Sequence, residues 1–163
     1  MSLGSLPRRV TVVEVGPRDG LQNEAAPVTV DDRVSFCNRL LDAGLKVVEV
    51  GAFVSPRWVP QMAGSDEVVR RVGRRPGAKT PVLVPNRQGF EQAQQAGVKE
   101  IAVFTAASET FNRKNINATI DESFQRFAEF GFVVNLDEGI QVQRVCKCDQ
   151  ILQFSLPQHC HDE

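Results

Sequence analysis

The sequence predicts an α/β fold of the (β/α)8 TIM-barrel type, here an incomplete barrel of about four to six parallel strands. Residues 43–50 (AGLKVVEV) are echoed by residues 96–103 (AGVKEIAV). Each reads as a helix end, a glycine stop, a short loop and a strand, and repetition of such a unit marks β/α architecture. Apolar strand-like runs also end in polar residues, as parallel folds do where they mount chemistry. Right-handed crossovers leave a barrel or an open doubly wound sheet. No Gly-x-Gly-x-x-Gly follows a strand and no Walker loop is present, so the nucleotide-type open sheet loses ground.

The elements follow in order. Residues 10–15 (VTVVEV) read as a buried strand, ended by Gly16 and Pro17 and followed by Arg18, Asp19, Gln22, Asn23 and Glu24. Thr29 caps a helix with Asp32 three residues on; Val34, Cys37, Leu40 and Leu41 recur at helical spacing, and Gly44 stops it. A second strand spans 46–50. Residues 65–72 suit a short helix with Val69 and Val72 inward. A third strand covers 81–84, closed by Pro85 and Asn86. Residues 87–96 form a helix with Phe90, Ala93 and Ala96 on one face, and a fourth strand runs over 100–104. Thr119 and Glu122 make a full capping box before Phe124 and Phe127, with Gly131 as the stop. Three regions result: a disordered or appended stretch 1–9, a half-barrel 10–130, and a divergent tail 131–163.

Composition removes several function classes. Nineteen basic residues against twenty acidic ones, in 163 residues, give no cationic surface for nucleic acid or an anionic membrane. No apolar stretch approaches the roughly 20 residues of a spanning helix. Four unevenly placed cysteines do not make a disulfide framework. The expected location is cytoplasmic, or the mitochondrial matrix for a eukaryotic chain whose transit peptide is gone.

In a barrel the working residues sit at the carboxyl ends of different strands. That collects Arg18 and Asp19, then Glu49, then Asn86, then Ser108 and Glu109, with Asn112, Arg113, Lys114 and Asn115 in the loop beyond. Glu49 interrupts an apolar run where burial is predicted, and an unpaired buried carboxylate is costly. Its expected partner is Arg18 or a metal; the bland reading is a glutamate facing solvent. Glu14 poses the same question, with nothing in the sequence marking a partner. The loop 53–62 (FVSPRWVPQM) carries the only tryptophan and is apolar enough to cover something.

Three motifs resemble hydroxymethylglutaryl-CoA lyase: residues 14–24 (EVGPRDGLQNE), residues 53–62, and residues 106–109 (AASE) with 114–117 (KNIN). The resemblance covers about 10–130. The Gly-Pro before Arg18 and the Trp58 loop favour the lyase over related acyl-CoA-using barrel synthases, which share an Arg-Asp-Gly turn. The resemblance implies cleavage of 3-hydroxy-3-methylglutaryl-CoA to acetyl-CoA and acetoacetate, assisted by Mg²⁺ or Mn²⁺. It implies Asp19 as a metal ligand, Arg18 against the thioester carbonyl, and Glu49 as organiser of proton transfers. Gln22, Asn86, Ser108, Lys114 and Asn115 join Arg18 as expected substrate contacts.

The departures bear equally on function. A β/α barrel takes about 250 residues, and this chain reaches its fourth strand only near Phe104. The family's late glycine-rich loop with its cysteine has no counterpart. His159 and His161 match a His-x-His motif and are expected metal ligands, His159 also catalytic. The expectation is a truncated or internally deleted lyase with little or no turnover. Two other classes stay open: a soft zinc site from Cys146, Cys148, His159, Cys160 and His161, or an inactive binding module. Open sheet edges make a homodimer an expected assembly.

Overall fold

The computed structural model describes residues 9–128, 142–144 and 151–157, the last two segments as backbone. The element order is β1 (Val13–Glu14), a π-helical turn Gly16–Gly20, α1 (Val30–Asp42), β2 (Val47–Val48), β3 (Gly51–Ala52), a 3-10 turn Pro60–Met62, α2 (Ser65–Val72), β4 (Val82–Leu83), α3 (Arg87–Gln95), β5 (Glu100–Ala106), α4 (Glu109–Ile116), α5 (Ile120–Ala128), β6 (Val142–Arg144) and β7 (Ile151–Pro157). β1 pairs with β2, β3 with β4 and β4 with β5, all parallel. β2 and β3 are one strand position: Val48 and Val50 donate to Lys79 and Pro81 on one side, and Glu49 donates to Glu14 on the other. Four parallel strand positions in chain order, each followed by helix, form an incomplete β/α barrel. β7 then pairs antiparallel with β5, and β6 with β7, which departs from the all-parallel expectation.

Local sequence explains these elements. Thr29 Oγ1 accepts the Asp32 N–H at 3.1 Å and starts α1. Both echoed segments close helices with the same Schellman geometry. Leu45 N–H bonds Leu40 C=O and Gly44 N–H bonds Leu41 C=O; Val98 and Gly97 repeat this with Ala93 and Gln94. Gly44 and Gly97 have φ of 96° and 78°, a conformation open to glycine at little cost.

The core is one helix-on-sheet layer. Val48, Val50, Val82, Val84 and Ile101 from the strands meet Val34, Cys37 and Leu41 of α1, Val68 and Val72 of α2, and Ala93 of α3. Arg33 is buried within this layer. It donates to Ala63 C=O at 2.7 Å and to Ser65 Oγ at 3.0 Å, while its Nε meets no hydrogen-bond acceptor among the described residues. Burial lowers its pKa, and the same burial pushes the neighbouring Cys37 thiol up to about 11.

Several expectations need correction. The first strand is shorter than 10–15, and Val10 and Val12 are 77% and 59% exposed. Among the described residues β1 has a strand neighbour on one side only, so its amino end lacks the cover that a buried strand needs. Val68 joins Val72 as a fully inward residue of α2, while Val69, expected inward, is half-buried and packs against the same core. The loop 53–62 buries Phe53 and Met62 but leaves Trp58 87% exposed. Its chain turns back on Ser55 C=O, which accepts from Trp58 and Val59, and this aims the ring outward. The expected loop beyond Ser108 is helix α4.

Candidate active site

Site geometry starts from the turn after β1. Val15 C=O accepts the N–H groups of Arg18, Asp19 and Gly20 at 3.0, 2.7 and 3.4 Å, winding a single tight turn. That turn puts the Arg18 and Asp19 side chains at the carboxyl end of β1, next to the strand that carries Glu49. Arg18 Nε donates to Glu49 Oε1, and Arg18 Nη1 donates to Asp19 Oδ1 at 2.8 Å. One guanidinium therefore spans two carboxylates of unlike environment: the Glu49 side chain is fully buried and that of Asp19 is 47% exposed. The solvent-facing reading of Glu49 is excluded, and its expected partner Arg18 is correct.

The arrangement has definite chemical capacity. Glu49 anchors the guanidinium from the buried side through a charge-assisted bond to its Nε. The Arg18 side chain is only 10% exposed, and its guanidinium carries N–H donors beyond these two bonds that suit an oxygen gaining negative charge. Asp19 offers hard carboxylate oxygen at the solvent boundary, the donor type that Mg²⁺ and Mn²⁺ take. It is one ligand, however. Among the described residues no group of three or more His, Cys, Asp and Glu side chains is arranged to hold a metal ion.

Other predicted residues divide by what holds them. Asn86 and Ser108 stand at the carboxyl ends of β4 and β5, on the same rim by strand direction, and both are helix N-caps. Asn86 Oδ1 accepts Gly89 N–H at 2.9 Å, and Ser108 Oγ accepts Phe111 N–H at 3.3 Å. Gln22 is half-buried beside the Arg18 turn, while Lys114 and Asn115 are exposed on α4. Glu109 accepts from Ile120 N–H at 3.3 Å across the α4–α5 junction. His159, His161, Cys146, Cys148 and Cys160 lie outside the described residues.

Asn112 differs from its sequence-level reading as a rim residue. It is fully buried. Its Oδ1 accepts Ala106 N–H at 2.9 Å, and its Nδ2 donates to Ala118 and Thr119 C=O at 3.2 and 2.9 Å. Thr105 Oγ1 lies 2.7 Å from Ser123 Oγ beside it, tying β5 to α5. This polar plug holds the loops that carry Ser108. No sequence signal marks it, because asparagine beside lysine and arginine reads as surface.

Comparison with known proteins follows the same lines. The HMGL-like family model matches residues 9–162. Hydroxymethylglutaryl-CoA lyase of Pseudomonas mevalonii is 56% identical over 139 residues, covering 85% of this chain and 46% of that protein. The crystal structure of hydroxymethylglutaryl-CoA lyase from Pseudomonas aeruginosa gives a TM-score of 0.73 at 54% identity, over 77% of this chain and 42% of that one. An HMG-CoA lyase from Acinetobacter baumannii, solved with coenzyme A and 3-methylmalate, gives 0.69 at 35% identity, over 73% and 39%. This chain spans less than half the length of the relatives it matches.

Proposed function

The chain belongs to the HMGL-like family, and from that premise we propose that it carries the Arg18 side of a hydroxymethylglutaryl-CoA lyase active site. The reaction is retro-Claisen cleavage of 3-hydroxy-3-methylglutaryl-CoA to acetyl-CoA and acetoacetate. The observation that carries this reading is the Arg18 guanidinium, held by buried Glu49 at a strand's carboxyl end and flanked by exposed Asp19.

In the proposed chemistry Arg18 binds the thioester carbonyl and stabilises the enolate oxygen that forms as the carbon–carbon bond breaks. Removing a single such donor typically costs about 10²–10³ in rate. Glu49 orients Arg18 and, beside it, organises the proton transfers. Asp19 would hold a divalent cation together with His159 and His161. When bound, Mg²⁺ or Mn²⁺ supplies Lewis-acid polarisation of the substrate's hydroxyl. The carboxylate of Asp19 fits that group in chemistry and exposure. Gln22, Asn86, Ser108, Lys114 and Asn115 complete the proposed acyl-CoA surface on the rim. Asn86 does so with its Nδ2 amide and Ser108 with its hydroxyl hydrogen, since the oxygens of both accept the helix-capping N–H.

The test is calorimetric titration of the chain with 3-hydroxy-3-methylglutaryl-CoA in Mg²⁺. Arg18→Gln should bind at least about tenfold more weakly, since a hydrogen bond to a charged group contributes about 1.5–3 kcal/mol. Equal affinity in both proteins would remove Arg18 from the site.

A further inference from the structure

Glu14 is the strand residue for which the sequence offers no partner, and the structure supplies one. Its Oε1 accepts the Gly16 N–H at 2.6 Å. The donors of the turn Gly16–Gly20 are then fully accounted for. Pro17 has none, Arg18, Asp19 and Gly20 all donate to Val15 C=O, and Gly16 donates to Glu14. An unmet backbone donor in a half-buried turn is costly, so Glu14 completes the turn that presents Arg18 and Asp19. The same residue reaches the other half of the ion pair, because its backbone C=O accepts the Glu49 N–H at 2.8 Å. The close approach also constrains residue 16. A Cβ there would lie 2.8 Å from Glu14 Oε1 and 3.6 Å from the Phe36 ring.

We infer that Glu14 is a positioning residue, its carboxylate and carbonyl tying the Arg18 turn to the Glu49 strand so that the two meet in register. The role rests on the active-site reading above for its purpose, but not for its geometry. Glu14 touches the backbone on both sides and acts on bound substrate only through Arg18.

Hydrogen exchange on the ¹⁵N-labelled chain tests this, read at the backbone amides of residues 16 and 18–20 and at the Arg18 Nε–H. In Glu14→Ala those sites should exchange about 10–100-fold faster, the range set by losing a charge-assisted bond. The Val48 amide, bonded to Lys79 in the core, should change by less than about threefold. Glu14→Gln keeps an acceptor oxygen and should restore most of the protection at residue 16 and Arg18. Gly16→Ala should reproduce Glu14→Ala by displacing the carboxylate. Unchanged exchange in Glu14→Ala, an equal rise at Val48, or no rescue by glutamine would each overturn the inference. Should Glu14→Ala fail to fold, retained Arg18 Nε–H protection in Gly16→Ala would overturn it. Exchange does not depend on substrate binding, so a chain with this exchange pattern that binds 3-hydroxy-3-methylglutaryl-CoA equally well with and without Arg18 would count against the proposed function alone.

Discussion

Replacing Arg18 by methionine should destabilise the chain by about 3–5 kcal/mol, the range for removing one partner of a buried ion pair. The magnitude comes from Glu49, whose fully buried side chain loses its Arg18 ion-pair partner. The contact to Asp19 adds little, about 0–1 kcal/mol, because that carboxylate is 47% exposed and screened by water. The double variant Arg18→Met with Glu49→Met should then recover most of the loss. Two apolar side chains of similar volume replace two charges, an exchange that is often neutral or stabilising. Urea unfolding reads this directly. With a slope of about 1–3 kcal/mol per molar, the single variant's midpoint falls by about 2 M and the double variant's by far less. Both should lose acyl-CoA binding. A double variant as unstable as Arg18→Met, or more so, would refute the claim that breaking the buried Arg18–Glu49 pair causes the loss.

Other outcomes follow from the same contacts. Asp19→Asn should weaken Mn²⁺ binding in a calorimetric titration while changing stability by less than about 1 kcal/mol, since its ion pair with Arg18 is half solvated. Asn112→Ala should cost about 2–4 kcal/mol by urea unfolding, leaving Ala106 N–H and Thr119 C=O unmet, whereas Arg113→Ala should stay within about 1 kcal/mol. Burial raises the Cys37 thiol to about 11. Its contribution to stability is therefore full below the unfolded value near 8.5 and is lost as pH rises through about 11. Cys37→Ser should flatten that alkaline limb, and the native thiol should react slowly with a disulfide reagent at pH 8.

The parts of this molecule legible in its sequence are those set by local chemistry. Gly44 and Gly97 announce helix ends because few other residues adopt their φ cheaply. Thr29 and Thr119 announce helix starts because their oxygens meet orphan amides. The rim placement of Arg18, Asp19, Asn86 and Ser108 follows from strand direction once the repeat is seen. What stayed illegible depends on partners distant in sequence. α4 contains Asn112, Asn115 and Thr110, poor helix formers, and is held by a buried network with β5 and α5 that no spacing reveals. The outward ring of Trp58 reflects a turn on Ser55 that composition does not encode. The exposure of Val10 and Val12 depends on which strand lies beside β1.

Glu49 shows why one polar residue in an apolar run carried so much. Along this strand position Val48 and Val50 donate toward β4, while Glu49 donates toward β1. Their side chains divide likewise. Val48 and Val50 join the layer beneath the helices, and Glu49 points to the opposite face, where Arg18 waits. A glutamate there gains nothing from the helix-side core, and two apolar side chains would fill the space at no electrostatic cost. Stability alone therefore does not account for the pair. Its geometry does what a site requires: a cation oriented from the buried side, beside a carboxylate still half open to solvent. That division of one strand into a packing face and a chemical face is the property a β/α barrel offers, and four strand positions are enough to display it.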